Sequence, residues 1–213
     1  MAGDATHAAA EGAAALSEGL AEAGHRLPAE RVAVRELGAE SRTASLEINR
    51  RLAQRVQQIV ARGERPLVLA GSCDVAPGVL AGVHEPEAGV VWIDGHADFN
   101  TPDSSESGFW PGMTLAVVVG DCCSEVWSAL AWRPVNPRRV VLLGTRSLSP
   151  AAKARRLAQS RVRVVAWRNG APAEEPSRAL KHLAAARASR LTVSSLPLRT
   201  AAPFPATAVL SRW

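Results

Sequence analysis

Two hundred and thirteen residues suffice for one α/β domain and fall short of two full-sized ones. With 47% hydrophobic and 21% charged residues, and no apolar run near the ~18 to 20 needed to span a bilayer, the chain reads as soluble and globular, not disordered, fibrous or membrane-spanning. The net charge of +5 raises nucleic acid as a partner, yet residues 1–175 hold 19 Lys and Arg against all 20 Asp and Glu, and the excess is six scattered cations in residues 176–213.

In chain order, the pattern alternates helical stretches with short β-rich apolar runs, the sign of βαβ units and a parallel sheet. A helix is expected over about 9–23, then a strand from Arg31 to Leu37. The clearest helix covers 41–62, where Leu46, Leu52, Val56, Ile59 and Val60 recur near helical spacing, with Ser41 as its cap and Gly63 as its stop. Strands follow at Pro66 to Ala70, Gly89 to Ile93, Arg138 to Leu143 and Arg161 to Ala166. Shorter helices are expected at about 77–82, 112–119, 150–159 and 173–187. The prolines at 197, 203 and 205 predict poor packing for the segment from Ser189. The chain therefore divides into an α/β domain, 1–188, and an atypical tail, 189–213. The N-terminus lacks a cationic start followed by an apolar core, which makes a cytoplasmic location the expectation. Three cysteines, Cys73, Cys122 and Cys123, make an odd count that argues against a disulfide framework, and the adjacent pair belongs in or beside a buried helix.

Strands that are apolar on both faces are central strands between helix layers, and such sheets gather function in the loops beyond their carboxyl ends. Three loops qualify: Gly71 to Asp74, Asp94 to Pro111, and Gly144 to Leu148. In the second, Asp94, His96 and Asp98 alternate with Gly95 and Ala97 directly after an apolar strand. An extended backbone projects residues i, i+2 and i+4 to one side at intervals of about 6.6 Å, so two carboxylates and an imidazole face one place. That mixed set suits Mn²⁺, Fe²⁺ or Zn²⁺. The alternative is a polar loop that satisfies its own backbone.

The run from Trp92 to Pro102, followed by Ser107-Gly108 and by Gly112 to Ala116, resembles the metal-binding signature of the arginase/agmatinase (ureohydrolase) family. Pro66 to Asp74 is similar to that family's earlier strand and Gly-Gly-Asp-His-Ser loop, and Val140 to Arg146 to its next strand and Gly-x-Arg turn. The resemblance covers roughly residues 30–188. It implies a three-layer α/β/α fold with a mostly parallel sheet, incomplete at the C-terminus. It also implies two Mn²⁺ ions sharing a hydroxide that attacks the carbon of a small guanidino or amidino substrate, and homo-oligomers, since family members are commonly trimers or hexamers. Carried over by position, Asp94 bridges both ions, Asp98 binds one and His96 the other, while Asn100 and Ser107 meet the substrate.

The departures are as informative. Cys73 stands where the family has its first histidine ligand. It is either a thiolate ligand, which favours Zn²⁺ over Mn²⁺, or a small buried residue. Pro111 replaces a proton-shuttling histidine, a kind of help typically worth ~10²- to 10⁴-fold in rate. The family's second signature, Ser-x-Asp-x-Asp-x-x-Asp-Pro, has no counterpart, for no Asp follows Asp121 and no Glu follows Glu175. The tail composition suits a reading-frame shift with early termination; a short natural paralogue is the other explanation. Two functions remain: a metal-dependent hydrolase of linear amidines, or an inactive family member that binds at most one metal ion. A nucleotide-binding domain fares worse, because neither glycine-rich phosphate signature occurs.

Overall fold

The computed structural model describes residues 3–25, 28–32, 42–148, 151–168, 171–184, 190–196 and 206–211. Two long helices open it, α1 (Gly3–Glu22) and α2 (Arg42–Ala61), followed by strand β1 (Leu67–Ala70), helix α3 (Ala76–Val83) and strand β2 (Gly89–Ile93). Then come α4 (Thr114–Val118), α5 (Ser124–Ala129), β3 (Val140–Leu143), α6 (Ala151–Gln159) and β4 (Arg163–Val165). A two-stranded ribbon, β5 (Trp167–Arg168) with β6 (Ala171–Pro172), precedes α7 (Pro176–Ala184), β7 (Arg190–Leu196) and β8 (Ala206–Ser211). The main sheet has the order β1-β8-β7-β2-β3-β4. Strands β7, β2, β3 and β4 pair in parallel, while β8 runs antiparallel to both β7 and β1.

The two-residue period of a strand sorts its side chains into two cores. Val90 and Trp92 of β2, in register with Val140 and Leu142 of β3, face Leu52 and Val56 of α2, Val79 and Leu80 of α3, Leu115 and Val118 of α4, and Leu157 of α6. Val91, Val141 and Val165 point the other way, onto Ala179 and Leu183 of α7. The result is a three-layer α/β/α fold with a mostly parallel sheet, as expected. Each fully buried Leu or Val contributes roughly 1.5 to 3 kcal/mol of transfer free energy. Helix α2 presents Ser45, Asn49, Leu52 and Val56 along its buried stripe, and α3 meets it through Gly78 and Gly82. A Cβ at Gly78 would lie 2.6 Å from the Asn49 carbonyl oxygen, so only glycine permits this approach.

Several expectations change. The first helix begins at Gly3, not near residue 9. Most of the strand expected over Arg31 to Leu37, and the Ser41 cap, lie outside the described residues. Helix α5 was not anticipated. Poor packing of the C-terminal segment is not what the structure has at 190–196 and 206–211, since β7 is a central strand paired on both sides. Leu191, Thr192 and Val193 are good strand formers. A proline restricts only its own position and the one before it, and Pro197, Pro203 and Pro205 fall between these strands, outside the described residues. No helix among the described residues is long and apolar enough to cross a membrane.

Candidate metal centre

The parallel ladder between β2 and β3 continues past the strand ends and holds the site loop. The Asp94 N–H donates to the Leu143 carbonyl (3.0 Å), the Arg146 N–H donates to the Gly95 carbonyl (2.9 Å), and His96 bridges to Ser147. Beyond that point Ala97 and Phe99, both fully buried, plug into the larger core. Asp98 turns the chain with a φ of 46°, an uncommon value for a residue with a Cβ. Its carbonyl accepts from the N–H groups of Leu115 and Ala116 at the start of α4, at 2.9 and 3.2 Å. Two otherwise unpaired donors of a helix start are thereby satisfied, which ties the strained residue in place.

This turn decides which side chains meet. Asp94 and Asp98 are each only 7% exposed, and with Cys73 they offer one carboxylate oxygen each and one sulfur, all within 4.8 Å of one another. Of the three side chains expected on one side, the carboxylates of Asp94 and Asp98 meet in the cluster and His96 stands next to Asp94. The His96 side chain is 75% exposed, with Nδ1 3.4 Å from Asp94 Oδ1. That same oxygen accepts the His96 backbone N–H at 2.8 Å. His96 thus borders the cluster on its solvent side, beyond Asp94.

Cys73 reaches this cluster, as its place in the family pattern implies, although its loop and the Asp94 loop do not leave adjacent strands: β8 and β7 lie between β1 and β2. Cys73 opens a 3₁₀ turn (Cys73–Val75) between β1 and α3, and that turn packs against α2.

Burial, and then the charge of Asp94, push the Asp98 carboxyl up to about 7. The Cys73 thiol, the Trp92 indole and the Lys153 ammonium oppose that rise. Trp92 Nε1 stays short of a well-formed hydrogen bond, and Asp98 Oδ2 is buried with no hydrogen-bond partner among the described residues. Lys153, buried on α6, has its own pKa lowered by burial, while the Asp98 charge acts to raise it. Two buried carboxylates beside a thiol, one oxygen of them orphaned, fit a divalent cation: it would remove their repulsion and satisfy the unpaired lone pairs. The donor set O, O and S suits Zn²⁺ better than Mn²⁺.

The two candidate substrate residues lie on the following loop. Asn100 is half-buried; its N–H donates to the Gly112 carbonyl at 3.1 Å, and its Oδ1 has no partner among the described residues. Ser107 is exposed, and its Oγ accepts from the Phe109 N–H at 3.3 Å. Pro111 sits in a 3₁₀ turn (Trp110–Met113), where its carbonyl accepts from the Thr114 hydroxyl at 2.8 Å. Cys122 packs against the larger core and Cys123 precedes α5 with a φ of 60°, both partly exposed.

Sequence reasoning missed the group behind the cluster: Ser45, Asn49 and Asp74, with Trp110. Its signal was present as two small polar residues, four apart, in line with Leu52 and Val56 on the apolar stripe of α2.

A model of the Arginase family matches residues 3–191. Over 113 residues the chain is 42% identical to an arginase of Bacillus caldovelox, covering 52% of this chain and 38% of that relative. Over 103 residues it is 40% identical to an arginase of Bacillus subtilis, covering 47% of this chain and 35% of the relative. The chain thus spans little more than a third of the length of these curated relatives. Among solved structures, Bacillus subtilis arginase superposes with a TM-score of 0.66 at 28% identity, covering 87% of this chain and 65% of that one. The Helicobacter pylori arginase, at 16% identity and a TM-score of 0.56, shares the fold.

Proposed function

Since the chain belongs to the arginase family, we propose that it is a metal-binding member that holds one divalent cation on Cys73, Asp94 and Asp98 and hydrolyses guanidino compounds slowly or not at all. The observation that carries this reading is the three-donor cluster itself. It is the only such cluster among the described residues, and it has a thiol where the family has an imidazole. Two dications would bring four positive charges against two carboxylates, or three anions if Cys73 ionises. No Asp follows Asp121 and no Glu follows Glu175 to add to them. The cation favoured by a thiolate is Zn²⁺, with Mn²⁺ second.

A bound cation would supply Lewis acidity toward water and toward an amidine nitrogen. The protein's own share is visible in its residues. Asp98 holds a proton up to about pH 7 and must release it for the cation. Asp94 is held by the His96 backbone N–H, which fixes the orientation of Oδ1. By their place in the family pattern, Asn100 and Ser107 are the polar groups assigned to orient a small guanidino or amidino molecule. Pro111 offers no proton carrier at its position.

One observation favours full amidine hydrolysis as a second reading. His96 Nδ1, 3.4 Å from Asp94 Oδ1, is one further donor beside the cluster. The test is release of urea or ammonia from arginine, agmatine and guanidinobutyrate with added Mn²⁺ or Zn²⁺. The single-ion reading expects turnover far below the usual ~1 to 10³ s⁻¹. Turnover within that range, accompanied by two tightly bound ions, would establish the second reading instead.

A further inference from the structure

Behind the metal cluster, one hydroxyl joins the two loops that frame it. Ser45 lies on the first turns of α2, almost fully buried. Its Oγ accepts the Trp110 indole N–H at 3.1 Å and donates to Asp74 Oδ2 at 2.6 Å. A serine hydroxyl has one proton to give and two lone pairs to accept with, so it serves both bonds and can also meet Asn49 Nδ2, 3.5 Å away. Asp74 adjoins Cys73 in the 3₁₀ turn, and Trp110 opens the 3₁₀ turn that follows Ser107.

Asn49, one helical turn further along α2, closes the arrangement. Its Nδ2 donates to the Asp74 carbonyl and to the Ser45 carbonyl, both at 2.8 Å, and its Oδ1 accepts the Gly78 N–H at 2.5 Å. The Cys73–Asp74 turn is therefore gripped from α2 by backbone and side chain alike. Trp110 is gripped from the same helix by Ser45 and by Arg42, whose guanidinium lies 4.6 Å from the ring centroid. The cation–π contact fixes the plane of the ring; the Ser45 hydroxyl fixes its rotation.

We infer that Ser45 is a positioning residue for the metal cluster: by bonding Asp74 and Trp110 together it sets where the Cys73 thiol stands relative to Asp94 and Asp98. The inference rests on the proposed cation site. Without the hydroxyl, Asp74 loses a charge-assisted bond and the indole N–H is left unpaired in a part-buried place. The 3₁₀ turn then relaxes, and a ligand shifted by a few tenths of an ångström no longer meets a cation whose bond lengths tolerate little error. Loss of such supporting bonds typically costs about 10- to 100-fold in metal affinity.

The experiment uses the full chain and Co²⁺ as probe, because a thiolate-to-cobalt charge-transfer band reports Cys73 directly and without turnover. Ser45→Ala is expected to weaken Co²⁺ about 10- to 100-fold and to diminish or displace that band, with Cys73, Asp94 and Asp98 all still present. Trp110→Phe, which keeps an aromatic ring near Arg42 while removing the indole N–H together with the five-membered ring that carries it, is expected to do the same to a smaller degree; it carries the test alone if Ser45→Ala does not fold. Ser45→Thr retains the hydroxyl and is expected to recover most of the affinity. Co²⁺ affinity within twofold of the wild type and an unchanged band in Ser45→Ala, or in Trp110→Phe where that variant stands alone, would overturn the inference. So would a threonine variant as impaired as the alanine one. A wild-type chain that binds Co²⁺ with no thiolate band would instead overturn the site on which it rests.

Discussion

Replacing Asp98 by asparagine should change how the metal-free protein responds to pH, and the structure sets both sign and size. The Asp98 carboxyl is buried beside Asp94, and its folded-state value rises from 3.8 to about 7. A raised value means that folding favours the protonated form. The contribution to stability is therefore full below the unfolded value and is lost as pH rises through the folded one. Over about pH 5 to about pH 8 the loss comes to roughly 3 kcal/mol at most, taking ~1.4 kcal/mol per unit. The groups that face Asp98 are Asp94, Cys73, Trp92 and Lys153, and all remain in the Asp98→Asn variant. The assay is urea unfolding of both proteins in the presence of a chelator across that range. The wild type should lose stability relative to the variant as pH rises, by a few kcal/mol in total. Added Zn²⁺ should reverse the trend in the wild type, because the cation replaces the proton. Parallel stability curves for the two proteins, with and without chelator, would refute the account of a buried, mutually repelling carboxylate pair.

Two further predictions concern the scaffold. Gly78→Ala should destabilise the chain by roughly 1 to 3 kcal/mol in urea melts, the usual range for overpacking, because its Cβ would stand 2.6 Å from the Asn49 carbonyl oxygen and 2.8 Å from Asn49 Oδ1. Unchanged stability would mean that α2 and α3 are not this close. The amides of β7 from Thr192 to Ser194 should exchange slowly with solvent, as should those of β2, since β7 pairs with β2 on one side and β8 on the other. Exchange as fast as in an unpaired segment would remove β7 from the sheet.

Much of the architecture was legible because single principles governed it. The apolar run Gly89–Ile93 is β2 at both ends, and the strong stripe of α2 gave a helix within one residue of its bounds. Where two influences competed, legibility failed. Prolines in the C-terminal text outweighed Leu191, Thr192 and Val193 on paper, yet they lie between the strands and leave the strands free to form. The site was half legible. The two-residue spacing picked out Asp94 and Asp98, which meet, and His96, which stands 3.4 Å from Asp94, but nothing local announces that Asp98 leaves the extended region and accepts from the start of α4. Cys73 could be placed beside the carboxylates only by resemblance, since β1 and β2 are not neighbours. The Ser45, Asn49 and Asp74 group depends on contacts 25 to 29 residues apart in sequence, which no periodicity reveals.

Whether Cys73, Asp94 and Asp98 hold a single cation is decided by counting bound metal. Equilibrium dialysis of the full chain against Zn²⁺ and against Mn²⁺, followed by elemental analysis, should find one tightly held Zn²⁺ per chain and weaker Mn²⁺. Cys73→Ser should weaken Zn²⁺ more than Mn²⁺, because it replaces the soft donor and leaves both carboxylates in place. Two tightly held Mn²⁺ ions per chain, with Cys73→Ser binding both metals as the wild type does, would contradict the account.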